Sequence, residues 1–317
     1  MRLRPAVVLS ALALSALALA GCSGEPAPEA TPSASAPAEG LCGAALPDGE
    51  ETQALNIAGE PGASPEVEFE APLDIAPPLR TVVAEGEGEP LEEGQWVEYS
   101  MTILDAATGD VTWVGGYEGR MVPTHVGAAN VWGQMLGCAP VGSRVAVLVP
   151  GSAQSAAEVY VIDVNKVVTD VPMRAWGEDQ APVDGQPTVE LAEDGAPTIT
   201  LPDTEPPAET VVTTLKKGDG AVVASGEKVL AQYTGVKWSD GSVFDSSWER
   251  NEPAPFNTQG VVAGFTKALE GQTVGSQVLV TMPPADGYGA APGHELEKET
   301  LTFVVDILDT GKDMVQP

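Results

Sequence analysis

Positive charge is scarce in this 317-residue chain: 15 Lys+Arg stand against 46 Asp+Glu, for a formal charge of −31. A surface so poor in cations excludes phosphate-driven nucleic-acid binding and polybasic adhesion to anionic lipid. Two histidines and three cysteines leave no cluster from which a metal site could be built, so no metal and no cofactor are expected. Aromatic residues make up only 5%, while Gly and Pro number 35 and 28, so part of the chain is expected to stay outside any packed core. The apolar run Val7 to Ala20 is too short to span a hydrocarbon layer roughly 30 Å thick.

What is present begins with that run. Arg2 and Arg4 precede it and Leu19-Ala20-Gly21-Cys22 ends it, which reads as an export signal over residues 1–21 and resembles a bacterial lipobox with Cys22 as the lipidated residue. The expected location is extracytoplasmic, at the outer face of the cell membrane, with a lipid anchor as the membrane contact. Residues 22–41 are mostly Ser, Gly, Pro, Ala, Thr and Glu and read as a disordered tether. With Cys22 committed to lipid, Cys42 and Cys138 remain as an even pair in a disulfide-permissive compartment; a Cys42–Cys138 bridge is expected, the alternative being two buried free thiols.

The remaining length suits about two domains, and an internal repeat divides it. Gly62-Ala63 before Val67-Glu68-Phe69 echoes Gly195-Ala196 before Ile199-Thr200-Leu201. Leu136 and Val141-Gly142-Ser143 recur as Leu269 and Val274-Gly275-Ser276, whereas Val161-Ile162-Asp163-Val164 recurs about ten residues late as Val304-Val305-Asp306-Ile307. Val97, Tyr99 and Met101 alternate with polar or exposed positions, as do Val229, Ala231 and Tyr233, which is strand period; Val145–Val149 and Val278–Met282 are short buried strands. Helical candidates lie at 128–138 and 261–269. The expected class is α+β, each copy an antiparallel sheet wrapped around one short helix: a first domain at 42–169, a linker at 170–187, and a second domain at 188–317.

The second copy carries an ordered set of motifs: Gln232-Tyr233-Thr234-Gly235, Asp240-Gly241, Phe244-Asp245-Ser246-Ser247, Arg250, Val261-Val262 with Gly264-Phe265, Ala268-Leu269, Pro283-Pro284, Gly287-Tyr288-Gly289, and Thr300-Leu301-Thr302-Phe303. With these motifs the segment from about Thr210 to Asp309 resembles the FKBP-type peptidyl-prolyl isomerases, and both copies are then expected to be FKBP-like. The resemblance implies rotation of X-Pro amides in exported polypeptides, a reaction that breaks no covalent bond and lowers a barrier of roughly 18–20 kcal/mol. It implies Phe265 as pocket floor, Tyr233, Phe244, Phe256 and Phe303 as walls, and Val261 and Val262 as rim. Tyr288 would donate to the carbonyl before proline, and Asp245, bonded to Tyr233, would interact with the twisted amide. It also implies inhibition by FKBP-directed macrolides.

Departures from the family pattern are Phe265 where Trp is frequent, Ala254 in place of an aromatic, and a loop after Tyr288 without the usual apolar pair; His294 reads as a solvated loop residue. In the first copy Trp132 occupies the floor position, Tyr99 is expected to keep the place of Tyr233, and the Phe-Asp pair and the Tyr288 loop are missing, so this copy is expected to be non-catalytic. The competing reading is a peptide-binding holdase without turnover.

Overall fold

A computed structural model of the protein describes residues 40–316. The export signal, Cys22 and all but the last two residues of the expected tether lie outside the described residues.

Folding of the described part starts one residue earlier than expected. Leu41 opens a short helix, α1 (Leu41–Ala44), and is buried against the first domain, because Cys42 beside it is bonded to Cys138 (S–S 1.97 Å, Cα–Cα 4.8 Å). A hairpin follows, β1 (Asn56–Ala58) and β2 (Glu66–Glu68), and then the sheet strands β3 (Leu79–Ala84), β4 (Trp96–Asp105), β5 (Val111–Gly115) and β6 (Thr124–His125). Helix α2 (Val131–Leu136), β7 (Arg144–Val149) and β8 (Glu158–Val168) complete the first domain. Its helix is shorter than the sequence pattern predicts. Asn130 caps the start by accepting a hydrogen bond from the Gly133 amide, and Gly137, at φ 55°, ends it.

The second domain repeats the plan with β9 (Glu178–Asp179), hairpin β10 (Thr188–Leu191) and β11 (Pro197–Thr200), then β12 (Val211–Lys217), β13 (Lys228–Lys237), β14 (Val243–Ser246) and β15 (Ala254–Asn257). Helix α3 (Ala263–Leu269), β16 (Gln277–Met282) and β17 (Leu301–Gly311) follow. The strand orders are β3-β7-β8-β4-β5 and β12-β16-β17-β13-β14, the same path twice, with β6 pairing β4 and β15 pairing β13. All these pairings are antiparallel. The class is therefore α+β. Each helix packs on one face of its sheet: Leu136 and Leu269 are fully buried there among Val145, Val147 and Ile162, and among Val278, Val280 and Val305.

The sheets are buried on both faces, which the alternating pattern does not predict. In β13, residues 229–236 are all buried. The outer face of the first sheet is roofed by its hairpin, where Ile57 and Val67 pack on Leu104, Leu148 and Val161. The segment expected to be a linker is docked as well: Ala175 donates from its backbone amide to the buried Asp306 carboxylate (2.8 Å), Gly177 bonds to Gly275, and β9 pairs with β12.

After β17 the chain crosses to the first domain. Val315 pairs with Val114 (2.8 and 2.9 Å), Met314 enters the first core, and Arg120 forms a bidentate ion pair with Asp309. The same tail holds the pocket-bearing strand β15, since Asp313 accepts from Asn257 at 2.7 Å and pairs with Lys228 at 2.9 Å.

Candidate active site

Strand β13 places Tyr233 on the helix side of the second sheet, and its neighbours β17 and β14 bring Phe303 and Phe244 to the same face. Phe256 enters from β15, paired opposite Val229, and Phe265 stands at the third residue of α3, buried against the sheet. Val261 and Val262 are not helical as expected. Val262 is the extended residue before the helix (ψ 148°), which turns both valines outward to form a rim. Tyr288 reaches in from the β16–β17 loop, where Gly289 donates to the Pro284 carbonyl at 2.7 Å and fixes the turn. All nine residues singled out from the sequence line one cavity of about 230 Å³.

The cavity is an aromatic cup. Phe265 meets Phe256 at 5.1 Å and Phe303 at 5.2 Å between ring centroids, and Phe244 stands edge-on to Phe303 at 5.3 Å. Edge-to-face contacts of this kind hold rings in fixed orientation. Gly235 is what lets the walls close: a Cβ there would lie 2.6 Å from Phe303 and 2.7 Å from Phe244. Gly235→Ala is expected to splay these two rings and lower kcat/KM by about tenfold or more, since small misplacements of binding groups carry large rate effects; a peptide isomerisation assay with near-UV circular dichroism as fold control checks this.

The polar side of the mouth is a triad. Tyr233 donates its hydroxyl to Asp245 (2.5 Å), while Arg250 donates to Asp245 (2.8 Å) and to the Tyr233 hydroxyl oxygen (2.8 Å). Burial works against the charged form of Asp245, but the hydrogen bonds from Tyr233 and Arg250, with the Arg250 charge, outweigh it and hold the carboxyl below its ordinary value. Burial and the bond to Asp245 push Tyr233 up to about 12, so it stays a donor. A depressed carboxylate keeps its charge until the pH falls through the lowered value. Isomerase activity is therefore expected to be flat from pH 7 down to about 4, the ordinary Asp range, and to fall only below it; a pH–rate profile on the folded protein checks this. Arg250 appears in the sequence motif without a role, and its reach to both partners is what the structure adds.

The Tyr288 hydroxyl has no hydrogen-bond partner among the described residues. His294, expected to be merely solvated, is exposed but stacks flat on the Tyr288 ring (4.2 Å, 1°), its Nδ1 accepting from the Leu296 amide. Ala254 pairs with Ala231, is packed on the core and is not among the cavity-lining residues.

Comparison with known proteins agrees with this geometry. Residues 220–308 match the model of the FKBP-type peptidyl-prolyl cis-trans isomerase family. The chain is 35% identical over 103 residues to a probable FK506-binding protein of Corynebacterium glutamicum, covering 32% of this chain and 87% of that protein. The chain belongs to the FKBP-type peptidyl-prolyl isomerases. It is also similar to an FK506-binding protein of Streptomyces anulatus (35% over 109 residues, 33% of this chain, 88% of that protein). Similarity extends to an FKBP-type 22 kDa peptidyl-prolyl cis-trans isomerase of Escherichia coli (40% over 97 residues, 30% of this chain, 47% of that protein). As an FKBP the chain is an isomerase of X-Pro bonds, and proline-containing polypeptide segments are its substrates.

The first domain lacks this constellation at the matching positions. Against β8 and β17, strands β4 and β13 each have one bulge, between Glu98 and Tyr99 and between Leu230 and Ala231, which fixes the correspondence. Tyr99 therefore matches Ala231, and Met101, not Tyr99, stands where Tyr233 does. By the same pairings Trp113 replaces Asp245, Thr124 replaces Phe256, and Tyr160 replaces Phe303. Trp132 does hold the floor position and packs on Tyr99 at 4.5 Å.

Proposed function

We propose that this isomerase acts on exported polypeptides outside the cytoplasm, held at the membrane by a lipid on Cys22, with its second domain catalytic and its first domain not. The aromatic cup with the Tyr233–Asp245–Arg250 triad at its mouth carries the catalytic part of this reading. A proline ring fits on the Phe265 floor, walled by Tyr233, Phe256 and Phe303. The Tyr288 hydroxyl donates to the carbonyl of the residue before proline. Rotation about the amide moves its nitrogen lone pair out of conjugation and lowers its dipole, so a dry cup favours the twisted state over the planar one. No nucleophile is required, because no covalent bond is broken.

The compartment rests on the signal-like residues 1–21, the lipobox-like Leu19-Ala20-Gly21-Cys22 and the Cys42–Cys138 disulfide, a bond that persists where thiols are not kept reduced. The test is refolding of a secreted protein whose slow phase, roughly tens to hundreds of seconds at 25 °C, is set by an X-Pro bond. The full chain is expected to shorten that phase in proportion to its concentration. An unaltered phase would contradict a role in folding. For the anchor, Cys22→Ser is expected to move the chain from the membrane to the aqueous fraction of the producing bacterium; unchanged membrane retention would contradict it.

A further inference from the structure

The two domains differ in what lies under the hairpin turn, on the sheet face opposite the short helix. In the first domain the place is filled by the Arg144 guanidinium, bidentate to Asp163 and donating to the carbonyls of Gly59, Glu60 and Ala63. In the second domain the corresponding pair is Gln277 and Asp306. The shorter Gln277 donates to Asp306 (2.7 Å) and to no hairpin carbonyl among the described residues. A cavity of about 320 Å³ remains, and the hairpin residues that line it are Leu191, Ala192 and Gly195. These match Gly59, Glu60 and Ala63. Val189 pairs with Ile199 as Ile57 pairs with Val67, and the turn bond from Gly195 to Ala192 (3.0 Å) repeats that from Ala63 to Glu60 (3.2 Å). This register is one residue off the sequence echo of Gly62-Ala63 in Gly195-Ala196. Asp306 is 2% exposed and accepts two hydrogen bonds, from Gln277 and the Ala175 amide, where Asp163 accepts three. Burial holds its carboxyl above the ordinary range despite those bonds and the charges of Lys216 and Arg174. Both cations line the cavity but are engaged elsewhere: Lys216 pairs with Asp179, and the exposed Arg174 donates to the Glu193 carbonyl, whose match, Pro61, Arg144 does not use.

We propose that this cavity is a guanidinium-binding site that takes the arginine side chain of another polypeptide, seated over Asp306 as Arg144 is seated over Asp163. By that internal precedent the guanidinium donates to the carboxylate and to carbonyls of the hairpin turn, a forked geometry that an ammonium group does not match. Trp176, 48% exposed, stands at the mouth. Its ring lies against Gly275, where a Cβ would be 2.7 Å away, and its Nε1 donates to Asp219 (3.2 Å), so an aromatic face is held ready to stack on a cation. Leu191, 42% exposed, offers apolar surface to the methylene stem. The net charge of −31 draws cationic segments of other polypeptides toward the chain. Gln277 and Asp306 alternate with Val278 and Val305, which pack toward α3, so the cavity lies on the face of the sheet away from the cup. Its occupancy is independent of the isomerase reading.

The test titrates the full chain, isotope-labelled at its tryptophan indoles, with the proline-free peptide acetyl-Ala-Arg-Ala-amide. A saturable shift of the Trp176 indole resonance is expected, assigned by its loss in Trp176→Phe. Replacing the peptide arginine by citrulline, which keeps the shape without the charge, is expected to weaken binding by about tenfold or more, as is Asp306→Asn in the chain. Gln277→Arg is expected to fill the cavity from within and abolish the shift. The same variant is expected to leave isomerase kcat/KM unchanged, which shows that the chain is folded and separates failure of this site from failure of the catalytic one. Equal binding of the citrulline peptide, or undiminished binding by Gln277→Arg, would overturn the proposal. So would a shift produced by acetyl-Ala-Glu-Ala-amide in place of the arginine peptide, which would assign the cavity to anions through Arg174 and Lys216. Tighter binding of free L-arginine than of the peptide would overturn the polypeptide source.

Discussion

Arg144→Ala is expected to destabilise the first domain by about 3–5 kcal/mol, the range for removing one partner of a buried ion pair. The Arg144 guanidinium is 1% exposed and is bidentate to Asp163 (2.6 and 2.7 Å). It also donates to the carbonyls of Gly59, Glu60 and Ala63, so it ties the roofing hairpin to the sheet. Its loss leaves a buried carboxylate whose one remaining hydrogen bond among the described residues comes from the Gly62 amide, and three turn carbonyls without their donor. Chemical denaturation followed by tryptophan fluorescence measures the effect. The paired replacement Arg144→Met with Asp163→Leu is expected to be far milder, because no uncompensated charge stays inside. Equal losses in the single and double variants would contradict the ion-pair account. The second domain solves the same problem without this pair: Gln277 donates to Asp306 (2.7 Å) in the place of Arg144, while Arg174 of the docked linker reaches the Glu193 carbonyl of the second hairpin (2.9 Å).

Asp245→Leu is expected to reduce kcat/KM by about 10²-fold, the scale of losing one preorganised electrostatic group in an active site. The carboxylate orients both the Tyr233 hydroxyl and the Arg250 guanidinium at the mouth of the cup. Leucine fills the volume but leaves Arg250 as a lone cation beside the twisting amide. Because Asp245 is partly exposed, the fold is expected to survive, and the loss should fall mainly on kcat. A loss confined to KM would instead assign Asp245 to substrate binding alone.

The nine pocket residues were legible in the sequence because the cup is built almost entirely from side chains inside short, ordered motifs. Strand pairing then brings the motifs together without needing contacts from elsewhere. The Tyr99 expectation failed for a physical reason. Sliding a strand by two residues leaves every side chain on the same face, so period-two patterning cannot tell Tyr99 from Met101 as the partner of Tyr233. The bulge at Glu98 and Tyr99 decides. The hairpins were visible as an echo of Gly62-Ala63 in Gly195-Ala196, but nothing local shows that they roof the sheets, since that depends on partners such as Arg144 and Asp163, far from them in sequence. The C-terminal crossing has the same character: Met314 and Val315 sit in a short polar tail, and their fit to the first domain is a long-range match.

The claim that this cup rotates X-Pro bonds is tested most directly by cis-to-trans exchange of a short X-Pro peptide, measured with the full chain by nuclear magnetic resonance exchange or a protease-coupled assay. The account predicts exchange accelerated in proportion to enzyme concentration, suppressed by an FKBP-directed macrolide, and reduced about 10²-fold by Asp245→Leu. A folded chain that leaves the exchange rate at its uncatalysed value would contradict it.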